Sequence, residues 1–319
     1  MAVYTEQDMF IEIDGKTTKV LFDLNSPTWQ AAAEREFSTR PAPPVPGEVC
    51  EHWLENIRQH LRPDESLTRK TALYLPQDAN KGVIIVGSGP SLEKNALLLQ
   101  DPDVRERYTI VAINAAINFV IEPDYYVFTE RNWSPDGWIR LRDWKVKALL
   151  TTPYSNYLTV PAIRPPLTYY VVEDYSTGVA PVASAAWSLM GFSPGLRLVP
   201  WIQETSNLAL WAALWLRAPK VVLVGMDYCY ETVDTYYAGN PVKPEFVPPE
   251  RKRSFRQSYE AVDMNGRKVM MSPTQFTCLC RTKLILNTLR ARGAVVINAS
   301  GGGMITEAVD HILPLEEAL

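Results

Sequence analysis

The sequence predicts an α/β fold, a mostly parallel sheet with helices on both faces, from three observations. Short β-branched, apolar runs alternate with helical stretches from Lys81 onward, the pattern of repeated strand–helix–strand units. The runs are apolar throughout, as strands covered on both faces are. The residues directly after them are small, amide or acidic, at the strand ends where such sheets bind ligands. With 46% hydrophobic residues in 319, the chain suits one large α/β domain with additions.

Residues 1–80 read as an accessory segment. Phe10 to Phe22 has a hairpin pattern, with Ile11 and Ile13 alternating, a turn at Asp14-Gly15 and Val20-Leu21-Phe22 returning. Ser26 and Pro27 suit the cap and first position of a helix reaching Phe37. The run Pro41-Ala-Pro-Pro-Val-Pro46 then makes a stiff linker. A second helix over 49–61 places Trp53, Leu54, Ile57 and Leu61 on one face.

Residues 81–319 read as the main domain. Its expected strands are Val83–Val86, Thr109–Ile113, Tyr125–Phe128, Lys147–Leu150, Tyr169–Val172, Val221–Val224 and Val295–Ile297. The first is followed by Gly87-Ser-Gly-Pro-Ser91. A strand, a turn free of Cβ crowding and a helix N-terminus beginning at Pro90 would present backbone N–H groups to phosphate. Asn114 follows the second strand and Thr129-Glu130-Arg131-Asn132 the third. Gly225-Met-Asp227-Tyr228 follows the Val221 strand, and Asn298-Ala-Ser-Gly-Gly-Gly303 the last. The expectation is that these ends share one rim. Tyr237 to Arg256, with four prolines and Arg251-Lys-Arg253, reads as an exposed basic loop.

Several function classes are disfavoured. A formal net charge of −4 gives no basic field for nucleic acid or an anionic membrane. Cys50, Cys229, Cys278 and Cys280 lack zinc-type spacing and read as buried free thiols. No apolar run approaches a membrane span, and the N-terminus does not read as a secretory signal. The expected location is the cytoplasm. Leu92 replaces the third glycine of a dinucleotide fingerprint, and neutral Asn114 ends the second strand, which argues against a nicotinamide enzyme. Gly15-Lys16-Thr17 lacks the first glycine of a phosphate loop, since Phe10 stands there. Gly191-Phe-Ser193-Pro-Gly195 matches a nucleophile elbow in letters only: Pro194 has no N–H for an oxyanion, and only His311 follows it.

The motifs taken together resemble the MptE-like family, which takes in motility accessory factor glycosyltransferases and 6-hydroxymethylpterin diphosphokinases. The resemblance rests on Gly87-Ser-Gly-Pro-Ser-Leu92, Ile113-Asn114, Pro123-Asp124-Tyr-Tyr-Val-Phe128, Thr205-Ser206 before an apolar helix, and Val221 to Tyr228. It continues through Asn265 to Val269, Ser272 to Phe276, Ile297 to Gly303, and Ile312 to Leu319. It implies a Rossmann-like domain. Part of the motif set is also similar to bacterial CMP-sialic-acid-dependent sialyltransferases. The diphosphokinases carry a Thr-Asp-x-Asp stretch for Mg²⁺ on ATP, where this chain has Thr129-Glu130-Arg131-Asn132. The resemblance therefore implies a glycosyltransferase using a nucleotide-sugar, a CMP-linked nonulosonic acid favoured, without a tightly bound metal. Its alternatives are a Mg²⁺/ATP pyrophosphokinase and a non-catalytic nucleotide-binding protein.

By the same resemblance Gly87, Ser88, Gly89 and Ser91 would cradle the nucleotide, and Asn114 would bond its base or ribose. Thr205 and Ser206 would add a helix end for phosphate, or a helix cap alone. The tyrosines Tyr228, Tyr230, Tyr236 and Tyr237 would be candidates for the leaving phosphate. Only His311 lies beyond Asn114, so the base would be Asp227 or Glu130. Asp227 also reads as a buried orienter of its own loop.

Overall fold

The computed structural model describes residues 10–13, 16–19, 68–71, 75–78, 80–129, 145–152, 155, 167–170, 173–174, 199–200, 205–231 and 258–319. The expected helices over 27–37 and 49–61, the proline linker, the Ser193 motif and the basic loop over 237–256 lie outside them.

Strand β1 (Phe10–Ile13) pairs antiparallel with β2 (Lys16–Lys19), Ile13 opposite Lys16. The hairpin is therefore present, with its return earlier than the expected Val20–Phe22, because a two-residue connection sets the register at once. The chain continues through β3 (Thr68–Thr71), β4 (Gly82–Val86), α1 (Leu92–Asn95), α2 (Pro102–Arg107) and β5 (Tyr108–Ile113). Next come β6 (Tyr125–Phe128), β7 (Ala148–Thr151), β8 (Leu167–Tyr170), β9 (Glu173–Asp174) and β10 (Val199–Pro200). Then follow α3 (Thr205–Trp215), β11 (Lys220–Val224), β12 (Tyr259–Val262) and β13 (Lys268–Met271). The last elements are α4 (Pro273–Ala291), β14 (Val295–Asn298), β15 (His311–Ile312) and α5 (Leu315–Ala318).

One sheet of nine strands organises the domain, in the order β15-β14-β11-β4-β5-β6-β7-β8-β3. All its neighbouring pairs run parallel. Every strand expected after Lys81 is in it, with ends moved by a residue or two. Two edge strands were not foreseen. Thr68–Thr71 is polar and basic, and it lies inside the stretch read as accessory. His311–Ile312 has only two residues.

Burial explains the continuous apolar runs. Val83, Ile85, Val111, Val127 and Leu150 pack on one face with α3, every residue of which is buried. Ile84, Val86, Ile110, Tyr126 and Phe128 pack on the other with Leu92, Leu99, Val104 and the C-terminal Leu315 and Ala318. Consecutive side chains of one strand thus enter different cores. Among the described residues no helix is long and apolar enough to cross a membrane.

The topology also marks a place for a site. From β4 the chain builds outward through β5 to β8, then returns to β11 on the other side of β4 and goes on to β14. The connections leave β4 and β11 in opposite directions, so their carboxyl ends form a switch point, where open α/β sheets hold ligands.

Candidate functional site

At the switch point the loops interlock through glycine. Gly87 N–H donates to the Val224 carbonyl at 2.7 Å, and Gly89 N–H to the Gly225 carbonyl at 2.9 Å. A Cβ on Gly89 would lie 2.6 Å from Asp227 Oδ2 and 2.7 Å from the Gly225 carbonyl oxygen. Gly303, at φ +91°, approaches Asp227 so closely that a Cβ would lie 2.6 Å from its Cα. These glycines let three strand-end loops touch backbone to backbone.

The loop after β14 completes the interlock. Met226 N–H donates to Ser300 Oγ at 3.2 Å, and Met304 N–H to the Asp227 carbonyl at 2.9 Å. Asn298 is wholly buried, donates from Nδ2 to the Ile305 carbonyl at 2.8 Å and accepts from Ser300 N–H at 3.0 Å. The expectation that these ends meet holds for the loops after β4, β11 and β14.

Asp227 sits at the centre and is 6% exposed. Ser91 N–H donates to Oδ2 at 2.8 Å and Ser91 Oγ–H to Oδ1 at 2.5 Å. Burial raises its carboxyl above the ordinary range, against the two Ser91 bonds and the Arg267 guanidinium. The anion at the start of α1 is thus the protein's own carboxylate. The helix starts at Leu92, after a Ser91 cap, and has four residues, two positions later than the Pro90 start the sequence suggests.

Beneath it, Asp263 accepts from Arg267 Nε at 2.9 Å and Nη2 at 2.6 Å, and from the N–H groups of Asn265 and Arg267, each at 2.9 Å. Burial pushes its carboxyl upward, but these bonds prevail and hold it below the ordinary range. Arg267 also reaches Glu231 at 3.6 Å. Cys229 is buried beside these acids, which together push its thiol up to about 12, burial contributing most. It stays protonated and is no nucleophile at neutral pH. Cys229, Cys278 and Cys280 are all buried, and none is in a disulfide.

The second part of the rim is the first turn of α3. Thr205 Oγ1 lies 2.8 Å from Thr129 Oγ1, directly after β6. Ser206 is buried, and Asn207 is wholly so. Asn207 Oδ1 accepts from Thr282 Oγ1 at 3.0 Å, and Thr282 Oγ1 lies 2.6 Å from Tyr228 Oη. Three hydrogen-bonded groups are thus joined along the chain: Ser91 with Asp227, its neighbour Tyr228 with Thr282 and Asn207, and, two residues before Asn207, Thr205 with Thr129.

The other sequence candidates fall as follows. Ser88 is half-buried in the interlocked loop, and Asn114 is half-buried at φ +49° at the start of a 3₁₀ turn after β5. Tyr228 and Tyr230 diverge: Tyr230 Oη lies 2.5 Å from Ser258 Oγ, and its backbone pairs with Met270. Glu130, Tyr236 and Tyr237 lie outside the described residues. Sequence reading missed Asn207 and Thr282 as site residues, and the Ser91–Asp227 pairing. The available signal for Asn207 was a polar residue near the head of an otherwise apolar helix; Thr282, between Arg281 and Lys283, gave none. Among the described residues no group of three or more His, Cys, Asp or Glu side chains is arranged to hold a metal ion.

Comparison with known proteins agrees with this architecture. A family model described as 6-hydroxymethylpterin diphosphokinase MptE-like matches residues 51–233. The MAf glycosyltransferase from Magnetospirillum magneticum AMB-1 superposes with a TM-score of 0.54 at 14% identity, over 83% of this chain and 38% of that one. The chain thus spans well under half the length of that protein, and the likeness is one of fold. No curated protein sequence matches.

Proposed function

The chain belongs to the MptE-like family, whose model matches more than half of it, and from that premise we propose that it is a nucleotide-sugar-dependent glycosyltransferase. The observation that carries the reading is that Thr129 meets Thr205 at the start of α3, while Tyr228, next to the Ser91-bonded Asp227, is linked through Thr282 to Asn207 of the same turn. A helix end attracts anions through its unpaired N–H groups and dipole. In this reading Thr205, Ser206 and the α3 end receive the donor's phosphate, and Ser88 and Asn114 receive the nucleoside. The favoured donor is a CMP-linked nonulosonic acid.

The chemistry is a single displacement. A bond forms between an acceptor hydroxyl oxygen and the anomeric carbon, and the bond from that carbon to the phosphate oxygen breaks. The acceptor proton passes to a base, and the nucleotide leaves with the bonding pair. Asp227 is assigned to holding the loops together, because both its oxygens are engaged by Ser91. Glu130, the next residue after Thr129, is assigned as base.

The test uses the full chain in calorimetric titrations with CMP, UDP, GDP and ATP, with and without Mg²⁺. The reading expects tight binding of one nucleoside mono- or diphosphate, and slow hydrolysis of the matching sugar donor. Glu130→Gln should lower that turnover by about 10²–10⁴-fold and flatten the acidic limb of its pH profile. The family description favours one second reading, transfer of pyrophosphate from ATP to a pterin-like alcohol. Mg²⁺-dependent ATP binding with AMP release would establish that reading in place of the first. A folded protein that binds none of the four would end both.

A further inference from the structure

We infer that Asn207 is a substrate-binding residue: its side-chain N–H group, set in place by Tyr228 and Thr282, donates to the anionic oxygen drawn to the α3 N-terminus. This rests on the nucleotide-sugar reading above and goes beyond it, since no motif assigns Asn207 a role.

The carboxamide oxygen of Asn207 faces Thr282, and the donor–acceptor order follows from that orientation. Thr282 has one hydroxyl proton and donates it to Asn207 Oδ1 at 3.0 Å. In the 2.6 Å pair with Thr282, Tyr228 Oη must then be the donor. The carboxamide oxygen is therefore satisfied, and Nδ2 is the half left to act elsewhere. Nδ2 has no hydrogen-bond partner among the described residues, although Asn207 is 0% exposed. A buried amide donor is not left unpaired without cost, so its presence in an otherwise apolar helix wants an explanation.

Direction supplies one. Cα–Cβ bonds in a helix tilt toward its N-terminus, and long side chains lie over the preceding turn. Asn207 is the third residue of α3, in the turn whose N–H groups a helix leaves without internal acceptors, and the tilt carries its Cβ toward that end. An amide donor and the positive end of a helix dipole in one place suit an anionic oxygen. In a CMP-linked sugar acid that oxygen belongs to the phosphate or to the sugar carboxylate.

The test is the paired variant Asn207→Leu with Thr282→Val, which removes both hydrogen-bonding partners and replaces them with apolar groups of similar shape. Such paired replacement is nearly neutral for the two partners it removes, and the Tyr228 hydroxyl, which loses its Thr282 contact, adds a small drop in the melting midpoint. The full chain and the variant are titrated with CMP and with an inert 3-fluoro analogue of a CMP-nonulosonic acid, and both are melted. The expected result is a melting midpoint near that of the parent, with binding weakened about 10- to 100-fold. Loss on CMP assigns Asn207 to the phosphate; loss on the analogue alone assigns it to the sugar carboxylate. Unchanged binding of both ligands overturns the inference. So does a variant that melts far below the parent, because the pair would then be holding the fold. A parent protein that binds neither ligand defeats the nucleotide-sugar reading itself, an outcome separate from the other two.

Discussion

Gly89→Ala tests whether the glycine loop serves closeness of backbone rather than freedom of turn. The added methyl would lie 2.6 Å from Asp227 Oδ2, 2.7 Å from Asp227 Cγ and 2.7 Å from the Gly225 carbonyl oxygen. None of these atoms belongs to a flexible surface side chain. The carbonyl is locked by the Gly89 N–H bond, and the carboxylate by Ser91. Overpacking costs about 1–3 kcal/mol, and losing one bond to a charged acceptor about 1.5–3 kcal/mol. The expected destabilisation is therefore about 3–5 kcal/mol. For a chain of this size that corresponds to a melting shift of roughly 10 °C. Gly266→Ala is the control, because it has φ +76° and nothing within 4 Å, so only left-handed strain of about 1–2 kcal/mol applies. Urea unfolding of both variants gives the comparison. Adding Asp227→Ala to Gly89→Ala should recover part of the loss, with a coupling of at least ~1 kcal/mol. A Gly89→Ala protein no less stable than Gly266→Ala, or a coupling of zero, would refute the interlock.

Three further predictions follow from the same geometry. Asp227 has its carboxyl raised by burial, so the folded state holds the proton more tightly than the unfolded state. The stability this contributes is full below the ordinary carboxylate range and is lost as pH rises through the raised value. Asp263 is lowered, so its contribution is present above that range and fades as pH falls. Urea unfolding at a series of pH values should show Asp227→Asn gaining on the parent toward neutrality, and Asp263→Asn gaining in acid. Arg267→Met should cost about 2 kcal/mol, since it strips the 0%-exposed Asp263 side chain of its guanidinium. Glu231→Ala should cost less than about 1 kcal/mol, the pair being largely solvated at 48% and 61% side-chain exposure; chemical denaturation ranks the two. Thr205→Val breaks the 2.8 Å contact with Thr129 at the head of α3. About 1 kcal/mol of stability and about five- to tenfold in nucleotide affinity should go with it, read by melting and calorimetry.

The sheet was legible because its strands are buried on both faces, and a run such as Val83-Ile-Ile-Val86 is short and β-branched, which favours a strand over a buried helix. The edges were not. Thr68-Arg-Lys-Thr71 ends the strand order on one side, edge strands commonly carry charged residues, and no apolar signal marks it in the sequence. Its partner β8 makes residues 68–71 part of the main sheet, inside the boundary drawn at residue 80. The site was legible as a set of loops and illegible as a set of contacts. Gly87-Ser-Gly89 followed by a helix start reads the same whether the anion it meets is a ligand or Asp227. Only the 136-residue contact between Ser91 and Asp227 separates the two. Asn207 and Thr282 were hidden for a related reason: one follows Thr205-Ser206 at the head of a helix, the other lies between Arg281 and Lys283 on a mixed one, and neither belongs to a turn.

That difference redistributes the work among the motifs. An anion-binding helix end has one place for one anion. At α1 the Asp227 carboxylate holds it, through bonds that also tie the loop after β4 to the loop after β11. A ligand phosphate there would have to displace a buried, hydrogen-bonded carboxylate and meet its charge. At α3 the first turn belongs to an eleven-residue helix buried along its whole length. Its side chains connect outward, through Thr205 to Thr129 and through Asn207 and Thr282 to Tyr228. Tyr228 follows Asp227 directly, so the glycine interlock fixes the near end of this relay. On this view the glycine motif reaches the substrate mechanically, by setting where Tyr228 stands, and Ser91→Ala should weaken nucleotide binding through the loss of its bonds to Asp227. A Ser91→Ala protein that unfolds more easily yet binds CMP with parental affinity would show that the interlock and the α3 end act independently.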